Sequence, residues 1–142
     1  MISLVRKYEL EVAHRLTAGV PEGHKCRRLH GHRYVLTIEL GGRPDADGML
    51  IEYADLDVCV KPILRLIDHN DLNTLSERCS TQEAADISAN PTVERLALWF
   101  AVRLRGLSSC RQEQGMKLLG LHIEEDSQSS IQWRPDPKRG EP

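Results

Sequence analysis

The chain has 142 residues, 40% of them hydrophobic, and a formal charge of −2, which suits one domain with a proper core and leaves no length for two. With 19 basic against 21 acidic residues, no concentrated basic run and aromatics at 4%, nucleic acid is not the expected partner. No apolar run approaches the ~20 residues that span a bilayer, and Met1 to Lys7 lacks the pattern of a secretion signal, so a cytoplasmic protein with no membrane partner is expected.

Residues Ile2 to Ala13 alternate loosely, with Leu4, Tyr8, Leu10 and Val12 apolar among charged neighbours. That pattern predicts a long strand with one wet side. A Gly/Pro loop from Ala18 to Gly23 leads to a second run, His30 to Leu40, rich in Tyr, Val, Thr, Ile and Leu and closed by Gly41-Gly42; the two runs read as an antiparallel pair. From Tyr53 to Ile67 the period becomes helical, with Leu56, Val60, Ile63, Leu64 and Ile67 on a buried face and Pro62 expected to kink or break the helix. Asp68 to Asn73 is too polar for core, and Thr74 to Ala89 reads as a polar excursion with a short helical turn. Asn90 as cap and Pro91 at the first position open a second helix running to about Leu107, striped by Val93, Leu96, Ala97, Phe100 and Leu104. Gly115 to Asp126 is a third strand, with Leu119, Leu121 and Ile123 on one face, and Ser129 to Trp133 a fourth. Residues 1–134 form the expected single domain, and the Pro/charged tail 135–142 is expected to fray. The order strand-strand-helix-helix-strand-strand is met most simply by an α+β fold, an antiparallel sheet with both helices on one side.

Four of the six histidines (His14, His24, His30 and His32) fall with Cys26 inside residues 14–32. His30 and His32 leave the same face of a strand, roughly 6.6 Å apart along the backbone. Joined by a third imidazole from a neighbouring segment, they can make a three-nitrogen metal site with an open position for water or substrate. Cys26 is then a candidate thiolate base. On the other side stand a closed structural site with Cys26 as fourth ligand, and ordinary surface histidines. The remaining cysteines carry no implied chemistry: Cys59 sits in an apolar helical stretch, and Cys79 and Cys110 fall in polar loops.

Asp68-His69 is a second constellation, because a carboxylate beside an imidazole can fix its tautomer and raise its basicity; capping at a helix end is the plainer role for the same two residues. Glu125 extends the Leu121/Ile123 row and could bind a ring edge bearing adjacent N–H donors. Glu52 and Glu94 fit capping or solvated roles.

Several separated motifs together resemble the 6-pyruvoyltetrahydropterin synthase and 6-carboxytetrahydropterin synthase family. They are Glu11-Val12-Ala13-His14-Arg15-Leu16, then Glu22-Gly23-His24-Lys25-Cys26 running to His30-Gly31-His32, Asp68-His69 with Leu72-Asn73, Asn90-Pro91-Thr92-Val93-Glu94, and a strand closing on Glu125. The three-residue interval between Cys26 and His30 resembles the carboxy branch, which serves the pathway to queuosine and other 7-deazapurines. The resemblance implies zinc on His14, His30 and His32, Cys26 as proton-abstracting base, Asp68 and His69 as its partner dyad, and Glu125 as the pterin-anchoring carboxylate. It further implies the tunnelling fold, with sheets of several subunits closing a barrel, and a homohexamer of two trimers with active sites at subunit interfaces. The substrate implied is 7,8-dihydroneopterin triphosphate, with acetaldehyde and triphosphate leaving. The pyruvoyl type, which eliminates triphosphate and keeps the side-chain carbons, is the enzymatic alternative, and a non-catalytic assembly protein stabilised by zinc is the other. Arg27-Arg28 is a candidate contact for the triphosphate. Glu52, Asp126 and the longer Leu75 to Ala89 segment depart from the family pattern, the last expected to decorate the surface or an interface.

Overall fold

Alternation of side chains builds the sheet. The structure is a computed structural model and describes residues 2–109, 115–136 and 138. Strands β1 (Ile2–His14) and β2 (His30–Gly42) pair antiparallel along their whole length, from Ile2 opposite Gly42 to His14 opposite His30. Even-numbered residues of both strands face inward, so Leu10, Val12 and His14 lie beside Tyr34, Leu36, Ile38 and Leu40, all buried. The odd-numbered face is polar and cross-linked by charge, with Arg33 paired to Glu11 at 2.6 Å and Lys7 to Glu124 at 3.9 Å.

Strand β4 (Lys117–Glu124) pairs antiparallel with β2, and β5 (Ser130–Trp133) with β4. A bulge interrupts the β2–β4 register: Glu39 faces Gly120 and Leu40 faces Leu118, leaving Leu119 as the extra residue. The buried row therefore runs through Leu118, Leu121 and Ile123, not through Leu119 as strict alternation from the sequence would have it. Leu119 lies over Gly41, where a Cβ would collide with its side chain.

With β3 (Asn70–Asp71) at one edge, the sheet order is β3-β1-β2-β4-β5. Strand β3 (Asn70–Asp71), parallel to β1 at Val12 and Ala13, was not expected. Only two residues long and made of polar side chains, it gives no hydrophobic alternation to read. Its brevity also leaves residues 2–10 of β1 without a strand neighbour on that edge among the described residues.

Helix α1 (Tyr53–Leu64) starts where Glu52 caps it, the carboxylate accepting from the amides of Ala54 at 2.7 Å and Asp55 at 3.2 Å. It ends two residues past Pro62, short of the expected Ile67, although Ile67 is still fully buried. Leu56 and Val60 bury completely against the core, each worth roughly 1.5–3 kcal/mol. Thr74 to Ala89 is not the polar excursion expected. Residues Leu72–Glu77 form a 3-10 turn and Gln82–Ala89 a helix, α2. Leu75, Ala84 and Ile87 are fully buried, and α2 packs on the helix that follows it, α3 (Val93–Arg105). Polar residues around these few apolar ones mask a real inward face, so the segment is part of the core layer and not surface decoration. Cys79 does lie in a loop, between that turn and α2, but it is buried there against the Arg103 guanidinium; Cys110 lies outside the described residues. Cys59 is partly buried against the core.

Helix α3 (Val93–Arg105) is capped by Thr92, whose hydroxyl accepts from the Arg95 amide at 3.4 Å. The expected cap, Asn90, instead takes the amides of Thr17 at 2.9 Å and Ala18 at 3.3 Å through its side-chain oxygen. The buried stripe carries Trp99 and Ala101 besides Leu96, Ala97, Phe100 and Leu104. With β3 and α2 inserted, the element order is longer than the six-element reading, yet the architecture is the expected one: a mainly antiparallel sheet with its helices on one side. Arg134 is tied back to the sheet by the Glu39 carboxylate and by the Leu119 carbonyl at 3.2 Å.

Asp57 joins α1 to β1. It accepts from the Tyr8 hydroxyl at 2.8 Å and pairs with Arg6 at 3.0 Å and Lys61 at 3.1 Å. The Tyr8 hydrogen bond first, then the Arg6 and Lys61 contacts, hold the Asp57 carboxyl down from 3.8 to about 2. A depressed carboxylate contributes stability that is complete above its unfolded value and is lost as pH falls through the folded one. Asp57→Asn should therefore lower stability at pH 5 by about 1 kcal/mol after allowance for solvent screening, with the gap to wild type narrowing toward pH 3. Urea denaturation at the two pH values checks this; a gap that does not depend on pH would show that the charge contributes nothing.

Candidate active site

The antiparallel register sets the site. Because His14 is opposite His30, and His32 is two residues further on the same face, three imidazoles converge at one end of the β1–β2 pair. Their ring centroids lie 4.6 to 5.0 Å apart, and one ring nitrogen of each falls within 4.8 Å of the others. Two of the rings are oriented from behind by backbone carbonyls: His14 Nδ1 lies 2.9 Å from the Pro91 oxygen, and His30 Nδ1 lies 2.7 Å from the Arg28 oxygen. A carbonyl only accepts, so both Nδ1 atoms carry the proton and both Nε2 atoms present lone pairs. Those two Nε2 atoms face each other at 3.0 Å. Such a contact calls for a cation between them, a shared proton or a metal ion. Burial holds His14 below the usual histidine value, the Pro91 carbonyl opposing it, which keeps that lone pair available. The donor set fits a metal with nitrogen preference, with the tautomers fixed by outer hydrogen bonds as metal-binding histidines require.

A cavity of about 680 Å³ opens above the histidines, walled by His14, Cys26, His30, His32, Glu94 and Glu125. Cys26 reaches it from a 3-10 turn, Lys25–Arg27, in the loop joining β1 to β2. That loop is pinned to the strand end by the Leu16 amide donating to the Cys26 carbonyl at 2.8 Å. His24, which no chemistry claimed, caps the turn: its Nδ1 accepts from the Cys26 amide at 3.1 Å. Cys26 is a free thiol, half-buried.

Glu125 lies just past β4, its amide donating to Ser129 at 2.9 Å across the turn into β5. Its Oε1 accepts from the Tyr34 hydroxyl at 3.1 Å and stands 3.6 Å from His32 Nε2. Sequence reading overlooked Tyr34, although it follows His30 and His32 at the same two-residue spacing. Buried to 1% exposure, it is held well above the ordinary tyrosine value by burial and then by the Glu125 charge, so it stays a hydroxyl donor. Glu94, given no role in the sequence, also faces the cavity, for which its place in the first turn of α3 was no signal. Asp126 spends its carboxylate on the turn, accepting from the Gln128 and Ser129 amides at 2.7 Å each.

Asp68 and His69 stand elsewhere. Asp68 Oδ1 accepts from the Glu11 amide at 2.9 Å and lies 3.1 Å from His69 Nδ1, so the pair is formed. His69 lines a second, shallower hollow with Glu11, Asn70 and His32 at the β3 edge, and neither Asp68 nor His69 lines the cavity holding Cys26. His69 takes φ +57°, a left-handed conformation seldom occupied by residues with a side chain. Its amide donates to the Glu11 carbonyl at 2.6 Å, while its side chain is 76% exposed. A strained, tethered backbone presenting an open imidazole is the kind of outlier found at functional positions.

Fold and site together define an α+β protein with a candidate three-histidine metal centre at one end of its sheet. Residues 3–136 match the family model described as 6-pyruvoyl tetrahydropterin synthase, and the chain belongs to that family. It is 33% identical over 107 residues to a 6-carboxy-5,6,7,8-tetrahydropterin synthase of Rickettsia felis, covering 68% of this chain and 75% of the relative. Similarity to the protein of that name from Haemophilus influenzae is 36% over 76 residues, 49% of this chain and 50% of that one. Among solved structures, Caenorhabditis elegans 6-pyruvoyl tetrahydropterin synthase superposes with a TM-score of 0.73 at 23% identity, covering 95% of this chain and 96% of that chain. The Plasmodium vivax enzyme gives 0.64 at 15%, covering 95% and 98%. At those identities the structural likeness speaks for the fold, and the tunnelling-fold expectation holds at the level of one subunit.

Proposed function

We propose that the chain is a zinc-dependent lyase of the 6-carboxytetrahydropterin synthase type, acting on 7,8-dihydroneopterin triphosphate and releasing acetaldehyde and triphosphate. The observation that carries this reading is the convergence of His14, His30 and His32 in one cavity with Cys26 and Glu125. Supporting it are the names of the relatives and the short Cys26-to-His30 interval.

In this reading His14, His30 and His32 hold the zinc, which when bound would acidify side-chain hydroxyls and stabilise developing negative charge. Glu125, braced by Tyr34, receives the N–H donors of the pterin edge. The Cys26 thiolate takes a proton from the substrate side chain, so that its carbon–carbon bond can break in a retro-aldol sense. Asp68 and His69 act as the partner dyad, delivered to the Cys26 cavity by a neighbouring subunit. Their separation from that cavity within one chain, the exposure of His69 and the open edge of β1 all favour an assembly, in this reading a homohexamer of two trimers. The reaction is placed in the cytoplasm, in the pathway to queuosine; no helix among the described residues is long and apolar enough to cross a membrane. Residues 1–134 constitute the catalytic domain.

Incubation with 7,8-dihydroneopterin triphosphate and assay of both products tests the proposal. Acetaldehyde in equal amount to 6-carboxytetrahydropterin is expected. A pyruvoyl product without acetaldehyde would move the protein to the pyruvoyl type, and no turnover by metal-replete protein would overturn the enzymatic reading.

A further inference from the structure

The cavity is electrically two-sided. Glu94 at the start of α3 and Glu125 at the end of β4 supply carboxylates, whereas Lys25 and Arg28 supply cations from the loop between β1 and β2. Local geometry explains why these two basic residues are there. A 3-10 turn has three residues per turn, so positions i and i+3 project on the same side. Lys25 and Arg28 stand in that relation, closed by the Arg28 amide donating to the Lys25 carbonyl at 3.1 Å.

Arg27 leaves on a different side. Its guanidinium donates to the Val20 carbonyl at 2.9 Å and the Pro21 carbonyl at 3.2 Å, holding the loop closed. It does not line the cavity, so the sequence-based pairing of Arg27 with Arg28 as anion contacts separates into one loop-holding residue and one cavity residue. Lys25 and Arg28 are both exposed, and neither has an ion pair or side-chain hydrogen bond among the described residues.

We propose that Lys25 and Arg28 form a polyphosphate subsite at the cavity rim, which takes the triphosphate tail while the carboxylate wall takes the ring. This inference rests on the pterin triphosphate reading and adds to it the residues that hold the anion. Two cations on one wall, and Glu94 and Glu125 on another with Asp126 beside them held by its turn, match a ligand with N–H donors at one end and a polyanion at the other. A guanidinium binds phosphate oxygens through paired donors and an ammonium does so as a point charge. The same two cations then hold the leaving triphosphate when its bond to the side chain breaks.

The test is binding of inorganic tripolyphosphate to the protein as purified, by calorimetry. Excess magnesium is present so that the anion does not strip the protein's own metal. Wild type is expected to bind, with affinity falling as salt rises. Lys25→Gln/Arg28→Gln should weaken binding tenfold or more. Arg43→Ala, which removes an exposed charge beyond the far end of β2, should leave it unchanged. Failure of wild type to bind, or equal binding by the double variant, overturns the subsite; equal binding would place the anion on the metal instead. If the double variant does not fold, each single variant should weaken binding severalfold, and two unchanged single variants overturn the proposal equally. Tripolyphosphate binding that depends on Lys25 and Arg28, in a protein that does not turn over the pterin, would keep the subsite and remove the pterin reading.

Discussion

Cys26→Ala should retain its full complement of metal and lose turnover by a factor of 10² to 10⁴, the range that a positioned general base contributes. The two halves of this expectation separate the roles left open for the thiol. A fourth ligand that closed a structural site would take metal and fold with it when removed. A base leaves both intact. The structure favours the second outcome because Cys26 is carried on a turn whose hydrogen bonds do not pass through its side chain: His24 caps the turn through the Cys26 amide, and Leu16 reaches the Cys26 carbonyl. Removing the sulfur therefore leaves the loop's backbone contacts in place. The measurement is metal content per chain, thermal unfolding and product formation on the same preparation. Loss of metal together with a lowered melting temperature would return Cys26 to the ligand set, and unimpaired turnover would deny it any catalytic part.

The parts of this architecture legible in the sequence are those that leave a period. The β1 and β2 alternation, the α1 face through Leu56 and Val60, and the α3 stripe were each readable because one side of a regular element is buried. Where regularity fails, the reading fails for a physical reason. The bulge at Leu119 moved one residue out of the buried row, and no alternation rule can place an insertion in a ladder. Strand β3 consists of two polar residues whose pairing is made by backbone alone. In the Thr74 to Ala89 segment, three fully buried residues (Leu75, Ala84 and Ile87) anchor a polar surface, too few to rise above their neighbours. At the site the pattern repeats. His30 and His32 could be grouped from strand spacing, the family resemblance added His14, and the structure brings all three together. Tyr34 obeys the same spacing and was missed because aromatic residues in a strand read first as core. Asp68 and His69 are legible as a pair and do form one, but that neither lines the cavity holding Cys26 is a matter of chain path. Arg27 and Arg28 are neighbours in sequence that diverge in space, a divergence that only the turn type decides.

His14→Ala should bring metal content from about one ion per chain to near none and abolish turnover, a loss at least as large as that from Cys26. His14 is the most deeply buried of the three imidazoles, at 3% exposure, and its Nε2 stands 3.0 Å from that of His30. Removing it leaves two nitrogens from one strand, which is too few for a stable site with an open position. The effect should extend to stability, because the ring also links three elements. It is carried by β1, faces β2, and donates from Nδ1 to Pro91 at the entry to α3. The lost hydrogen bond alone is worth about 1 kcal/mol. A metal bound at a thousand times its dissociation constant contributes about 4 kcal/mol more by mass action. Chelation should consequently lower the melting temperature of wild type and leave that of His14→Ala unmoved. His122→Ala, changing a half-buried histidine on β4 outside the cluster, should respond to chelator as wild type does. Metal retained at full stoichiometry by His14→Ala would show that the two Nε2 atoms face each other over a proton, and the three-histidine centre would have to be abandoned. If metal is lost while wild type and variant melt alike with and without chelator, the ion serves chemistry alone and the fold stands without it.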